Sequence, residues 1–366
     1  MMGALKRGLD ALWGRGEAAV TIPSMDGALR PNSLLDQAPA LMTIASPDNL
    51  ADFAGETLFS SGNDVFTLKQ DGTAATAEPR HSFPNPVTCL AAHSSGELAV
   101  GMAGSITLRG GARDGKVFTE IGGRPLLCPT ALAFAGSDEL IVCLGSRSLP
   151  PEEWKRDLMQ LNASGSLWRL DLDKGSAVCL ADGLAYPYGL MLESSGAVRV
   201  SESWRHRVLR IKAGSAPEIL VADIPGYPSR MSPSADGGSW LTVFAPRRQM
   251  VEFVLRERAY RERMMREVHP DYWMAPALRS GRSFLEPIQG GAVRHLGISK
   301  PWAPTRSYGL VIRLDPSGSP AVSVHSRADG VRHGVTSCLE RDGRLIVACK
   351  GGGVIASIDL NELDKE

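Results

Sequence analysis

Near the C-terminal end of the chain, His333 stands three residues before Thr336, at the start of an apolar strand pattern. A histidine changes charge near neutrality, so His333 at a pocket mouth would suit the base of a lactone or ester hydrolysis. A loop histidine that packs or meets solvent is the competing reading. Thr336 is the matching candidate on the strand itself, although a threonine hydroxyl is no acid or base near neutral pH. Five other residues hold the same place at the start of earlier strand patterns, Asp48, Thr88, Thr130, Tyr188 and Ser229, and with Arg230 after the last they are expected substrate contacts. Only Asp48 among the six strand-start residues carries a carboxylate, with Asn49 and Asn85 nearby in sequence. A hard cation such as calcium requires several oxygen ligands, carboxylates and amides above all. Calcium is therefore disfavoured, and no cofactor or metal ligand set is expected.

A second group of candidates falls in residues 247–308. That stretch holds twelve Arg or Lys against six Asp or Glu, an excess of six positive charges. Its later half adds Tyr272, Trp273, Phe284, Trp302 and Tyr308. Arginines mixed with aromatics grip small anionic or aromatic ligands through stacking and charge-assisted hydrogen bonds. Arg279, Arg282 and Trp302 are the expected contacts, with the whole stretch acting as a lid. The competing reading is an edge cover whose arginines pair with glutamates along a helix. Serine-hydrolase and phosphate-loop chemistry find no support. No Gly-x-Ser-x-Gly elbow is present, and the glycines at 351–353 lack a following Lys-Ser/Thr.

The elements that must position these residues are short strands. Residues 184–243 show apolar runs separated by the turn pairs Ser195-Gly196 and Asp236-Gly237, and the order restarts at Tyr227 after about 40 residues, which points to propeller blades. Six strand-start blocks are visible: Pro47-Asp48-Asn49-Leu50, Val87-Thr88-Cys89-Leu90, Pro129-Thr130-Ala131-Leu132, Pro187-Tyr188-Gly189-Leu190, Pro228-Ser229-Arg230-Met231 and Val335-Thr336-Ser337-Cys338. The expected fold is all-β, one six-bladed β-propeller over residues 38–366, with an N-terminal extension at 1–37. In a small propeller the first strands line a central channel, so the six strand-start residues should meet there. Two spacings are long. Residues 150–161 form an extra loop or short helix in the third blade. Residues 247–308 form a helical and irregular insertion in blade five, preferred over a seventh blade because 247–268 lacks turn pairs. Val251, Val254, Leu255, Met264, Met265 and Val268 give that helix an apolar face.

These blocks resemble the strictosidine synthase-like proteins over roughly residues 40–360. The matching segments are Tyr186-Pro187-Tyr188-Gly189, Glu202-Ser203-Trp204 with Val208 and Arg210, Gly226-Tyr227-Pro228-Ser229-Arg230, and the turn Glu340-Arg341-Asp342-Gly343. The resemblance implies a six-bladed propeller of the superfamily that includes gluconolactonases and paraoxonases, whose channels hold a divalent ion on Glu, Asn and Asp. Here those positions are mostly hydroxyls. It also places Thr336 where the plant synthases carry a catalytic glutamate, so the condensation itself is not expected. Glu202 and Trp204 match the family pattern as blade-stabilising residues. The implied activity is lactone or ester hydrolysis on a small molecule. The alternative is a non-catalytic binding propeller that has lost the metal cage.

Composition narrows the partners. Forty Lys and Arg balance forty Asp and Glu, which argues against nucleic acid as a partner of the whole surface. No apolar run is long enough to span a bilayer. Leu5, Leu9, Leu12 and Trp13 share one helical face, so residues 1–20 could associate weakly with a membrane surface; a helix docked on the domain is the simpler expectation. Six cysteines form no CxxC pair and sit in apolar patterns, as buried reduced thiols of a cytoplasmic protein do.

Overall fold

In the computed structural model, which describes residues 22–71, 74–287, 294–295 and 298–363, six four-stranded antiparallel sheets follow one another around an axis. Their first strands are Pro47–Phe53, Val87–Ala92, Pro129–Phe134, Pro187–Leu192, Gly226–Pro233 and Val335–Arg341. Each begins at one of the six strand-start blocks. The first strands also contact one another in ring order, so the blades close into a propeller. The candidate membrane-associating segment at 1–20 lies outside the described residues. No helix among the described residues is long and apolar enough to cross a membrane.

The burial pattern follows each strand's place in its blade. The second strand of blade two, Leu98–Met102, is buried at every position because neighbouring blades cover both of its faces. The outermost strand of blade one, Ala74–Ser82, has no buried residue, and its side chains alternate between half-buried and exposed at the start. Apolar clusters sit between successive blades, as Leu132, Leu140 and Trp168 of blade three pack on Ile106, Leu108 and Phe118 of blade two. Five of the six cysteines are buried and all six are free thiols.

Ring closure joins the two ends of the described chain. Blade six takes its outer strand from Ala40–Thr43, which pairs antiparallel with Val354–Asp359. Residues 40–43 therefore belong to the last blade, a pairing that no local pattern in the sequence announces. Without it the edge of Val354–Asp359 would be open.

The insertion enters blade five between its second strand, Ser239–Pro246, and its third, Gly309–Leu314, which remain hydrogen-bonded neighbours. The single helix expected over 247–268 is two helices, Gln249–Arg256 and Arg258–Glu267, with Glu257 outside helical geometry between them. Arg261 donates to the carbonyl of Leu255 and so satisfies an acceptor that the break leaves without a helical partner. The bend lets Val251, Val254, Leu255 and Met264 share one core with Trp273, Phe244 of blade five, and Leu158 and Met159 of the blade-three insertion. That second insertion contains the short helix Trp154–Met159. Met265 packs partly against the same core, whereas Val268 is exposed.

Candidate functional site

Each first strand is irregular where it reaches the axis. Strand pairing skips Thr88, Thr130, Tyr188 and Thr336, and it skips two residues after Asp48 and the pair Ser229-Arg230. A bulge releases a residue from the ladder and turns its backbone groups aside. In this propeller the released carbonyls converge on one side chain. Arg230 Nη1 donates to Asp48 Oδ1 at 2.8 Å and to the Thr336 carbonyl at 3.5 Å. Its Nη2 donates to the carbonyls of Thr88 and Thr130. The guanidinium also lies 5.0 Å from the centre of the Tyr188 ring. Gly189 is needed for this approach: a Cβ there would meet the Ser229 carbonyl at 2.4 Å and Arg230 Cα at 2.6 Å.

Asp48 is only 2% exposed and is saturated with donors. Its Oδ1 accepts from Arg230, from the Thr336 hydroxyl at 2.8 Å and from the Asn49 amide at 2.8 Å, while Oδ2 accepts from Lys350 Nζ at 2.9 Å. Burial works against its ionisation, but the Arg230 and Lys350 charges outweigh it and hold the carboxyl below the usual range. Burial likewise opposes the charges of Arg230 and Lys350, and Asp48 overcomes it, raising both pKa values. The group at the axis is thus two cations on one carboxylate.

Above it lies a cavity of about 570 Å³. Thr88, Thr130, Tyr188 and Lys350 lie along its inner end, and its walls include Trp154, Tyr186, Trp204, Phe244 and Leu278. The rings brace one another. Tyr186 stacks on Trp204 at 4.5 Å, and Trp154 meets Phe244 edge-on at 5.4 Å. Tyr186 holds a positive φ of 57°, an uncommon conformation for a bulky residue and one often found at ligand sites. Trp204 donates its indole N–H to Asp157 at 2.7 Å. Burial pushes the Asp157 carboxyl upward, against hydrogen bonds that include those from Trp204 and Asn162.

A second cavity, of about 470 Å³, adjoins the first through shared Trp154, Leu278 and Lys350. Its lining includes Arg279, Arg282, Lys155 and Arg306 with Asp271 and Glu286. The insertion therefore supplies a wall to the channel, through Leu278, and a basic vestibule beside it. Trp302 is elsewhere. It is 66% exposed, lies under Lys300 and borders a different cavity with Tyr308 and Arg248.

Of the strand-start residues, Asp48, Thr88, Thr130, Tyr188 and Thr336 meet at the axis around Arg230. Ser229 is fully buried beside them, with its hydroxyl bonded to the carbonyls of Thr242 and Val335. His333 is not in the channel lining. Its Nε2 donates to the Arg327 carbonyl at 2.7 Å, and Nδ1 lies 2.8 Å from the Ser307 hydroxyl. Burial lowers its pKa and favours the neutral ring, in which Nδ1 accepts from the Ser307 hydroxyl. Glu202 is buried against the Ala185 amide, Arg205 and Arg207, as a blade-stabilising residue would be. Trp204 combines packing with a place in the wall. No pattern in the sequence points to Phe244 or Leu278, and Glu152 and Trp154 fall in the stretch at 150–161 expected only as an extra loop or short helix. Lys350 had a signal: it is a lone charge directly after the apolar run Leu345–Cys349.

No family model matches the chain. It is 21% identical over 373 residues to the adipocyte plasma membrane-associated protein of Salmo salar, a match covering 93% of this chain and 82% of that one. With the Mus musculus protein of the same name it shares 26% identity over 278 residues, 66% of this chain and 65% of the other. Among solved structures, a gluconolactonase from Xanthomonas campestris aligns with TM-score 0.54 at 14% identity, over 88% of both chains. A calcium-binding protein, regucalcin, from Agrobacterium tumefaciens aligns with TM-score 0.51 at 13% identity, over 90% of this chain and 93% of that one. What these likenesses share is the six-bladed propeller.

Whether the axis could hold a divalent ion depends on which oxygen ligands are left free there. Both oxygens of Asp48 are already taken, and the carbonyls of Thr88, Thr130 and Thr336 face a guanidinium. Asn49 keeps a buried Oδ1 without a partner, but one amide oxygen makes no cage. No cluster of three or more His, Cys, Asp or Glu suited to a metal occurs among the described residues. The residues do not fit a divalent ion.

Proposed function

We propose that this chain is a small-molecule-binding propeller whose channel takes an organic anion with a flat, apolar body. The observation that carries the reading is the pairing of Arg230 and Lys350 with the single carboxylate of Asp48 beneath an aromatic cavity. One positive charge is left over, and Lys350 lines the cavity. Its ammonium has three N–H donors and gives one to Asp48, so others are available to a carboxylate, sulfonate or phosphate. Trp154, Tyr186, Tyr188, Trp204 and Phe244 supply the surface against which an aromatic body would pack. The basic vestibule of Arg279 and Arg282 would gather anions towards it. The strictosidine synthase-like pattern and the long match to the adipocyte protein support placing the chain in that family. Free thiols suit the reducing cytoplasm, and that location belongs to the same proposal.

The probe for this reading is 1-anilinonaphthalene-8-sulfonate, an aromatic anion whose fluorescence reports binding. Lys350→Met should weaken its affinity by about tenfold or more, the effect of losing one charge-assisted hydrogen bond. Equal affinity in both proteins would sink the proposal.

Lactone or ester hydrolysis is a second reading, and one observation favours it. Glu152 stands exposed in the channel lining, as the acidic side chain best placed to activate a water. Turnover of an aryl ester or a sugar lactone that Glu152→Gln abolishes would favour this reading over simple binding. No turnover by the unmodified protein would reject it.

A further inference from the structure

The six blades of this propeller meet at one guanidinium. Arg230 comes from blade five, and its contacts are the strand-start residues of the other five: Asp48 of blade one, the Thr88 carbonyl of blade two, the Thr130 carbonyl of blade three, the Tyr188 ring of blade four and the Thr336 carbonyl of blade six. A carboxylate and inward-turned carbonyls are the donors that a hard cation would collect at such a point. Here each is directed at N–H groups instead. A buried charge persists only when paired and hydrogen-bonded, and Asp48 with its carbonyl neighbours meets both conditions for Arg230. The planar fork suits this role because two nitrogens serve four acceptors in different directions. A lysine at this position would offer a single point of charge.

We infer that Arg230 is the permanent cation of this propeller's axis, so that the channel is built and held by a side chain and without a divalent ion. The inference goes beyond the proposed ligand: it concerns what organises the channel, whichever molecule the channel accepts. Arg230 acts here as a positioning residue. It fixes the mutual placement of Asp48, Thr88, Thr130 and Thr336, and through Asp48 it fixes Lys350. A divalent ion at the same point would have to displace the guanidinium and strip Asp48 of its hydrogen bonds.

The test reads melting temperature and the heat of calcium titration, with no organic ligand involved. Protein treated with a chelator should melt at the same temperature as protein in millimolar calcium, and calcium titration should give no one-site heat. Arg230→Gln should melt several degrees lower, and Arg230→Lys between the two, because it restores charge without the fork. If Arg230→Gln fails to fold, the calcium titration of the unmodified protein still decides. Calcium bound with a stoichiometry of one and a rise of several degrees in melting temperature would overturn the inference. So would an Arg230→Gln protein as stable as the unmodified one. Loss of probe binding by Lys350→Met bears only on the ligand and leaves this inference standing.

Discussion

Arg230 and Asp48 are 182 positions apart in the chain, and their Nη1 and Oδ1 atoms meet at 2.8 Å on the propeller axis. The contact joins blade five to blade one across the channel, and the remaining blades add their strand-start residues around it. With Lys350 on the other carboxylate oxygen, this pair sets both the shape and the charge of the inner end of the cavity.

Asp48→Asn should expose how much that pair supports. The substitution leaves two buried cations without their carboxylate, which costs about 3–5 kcal/mol when one partner of a buried pair is removed. The pH dependence has a definite sign. The folded pKa of Asp48 lies below its unfolded value, so its stabilisation is complete above the unfolded pKa of about 3.9 and is lost as pH falls through the folded pKa. Urea unfolding from neutral to strongly acid pH should show a steep acid loss in the unmodified protein and a shallower one in Asp48→Asn. Parallel acid limbs would contradict the pairing.

Asp157 should behave in the opposite way. Burial raises its folded pKa, so its contribution is fully present below the unfolded pKa and is lost as pH rises through the folded one. Asp157→Asn keeps an oxygen for the Trp204 indole and removes the buried charge, and Asn162 must turn its amide oxygen towards the new N–H. At neutral pH it should therefore be as stable as the unmodified protein or gain about 1 kcal/mol, with less decline in stability between acid and neutral pH. Thermal melting across that range checks the sign, and a loss of several degrees at neutral pH would show that the charge itself is required.

Removing Arg279 and Arg282 together should weaken binding of the anilinonaphthalene sulfonate while the melting temperature stays nearly unchanged. Both line the vestibule beside Lys350, outside the apolar core of the blades. A lost charged hydrogen bond at either position would cost about 1.5–3 kcal/mol of binding, and a purely electrostatic role would appear as an on-rate that falls with salt. If affinity and on-rate are both unaltered, the insertion is an edge cover and the vestibule takes no part in capture.

A chain that begins at Ile44 should lose much of its stability. It lacks Ala40–Thr43, the strand that completes blade six on Val354–Asp359. The exposed edge should also promote association between molecules. Lower melting temperature and concentration-dependent light scattering are the expected readouts. An unchanged, monomeric melt would mean that the ring closes without this strand.

The six blades and the place of the insertion were legible in the sequence because strand period, turn residues and repeat spacing are local properties. So was the set Asp48, Thr88, Thr130, Tyr188 and Thr336, since equivalent positions in a radial repeat must converge. Tertiary structure decided what those residues face. Its place beside Ser229 marked Arg230 as a ligand contact; its pairing with Asp48 and its carbonyl partners exist only because bulges in other blades turn those carbonyls towards it. Lys350 and Asp48 are 302 positions apart, and His333 lies close to Thr336 in sequence yet bonds to Ser307 and Arg327 outside the channel lining. Proximity along the chain fixes the order of strands, whereas charge pairing across the axis depends on all six blades closing, which requires the residues at 40–43 to meet those near the other end.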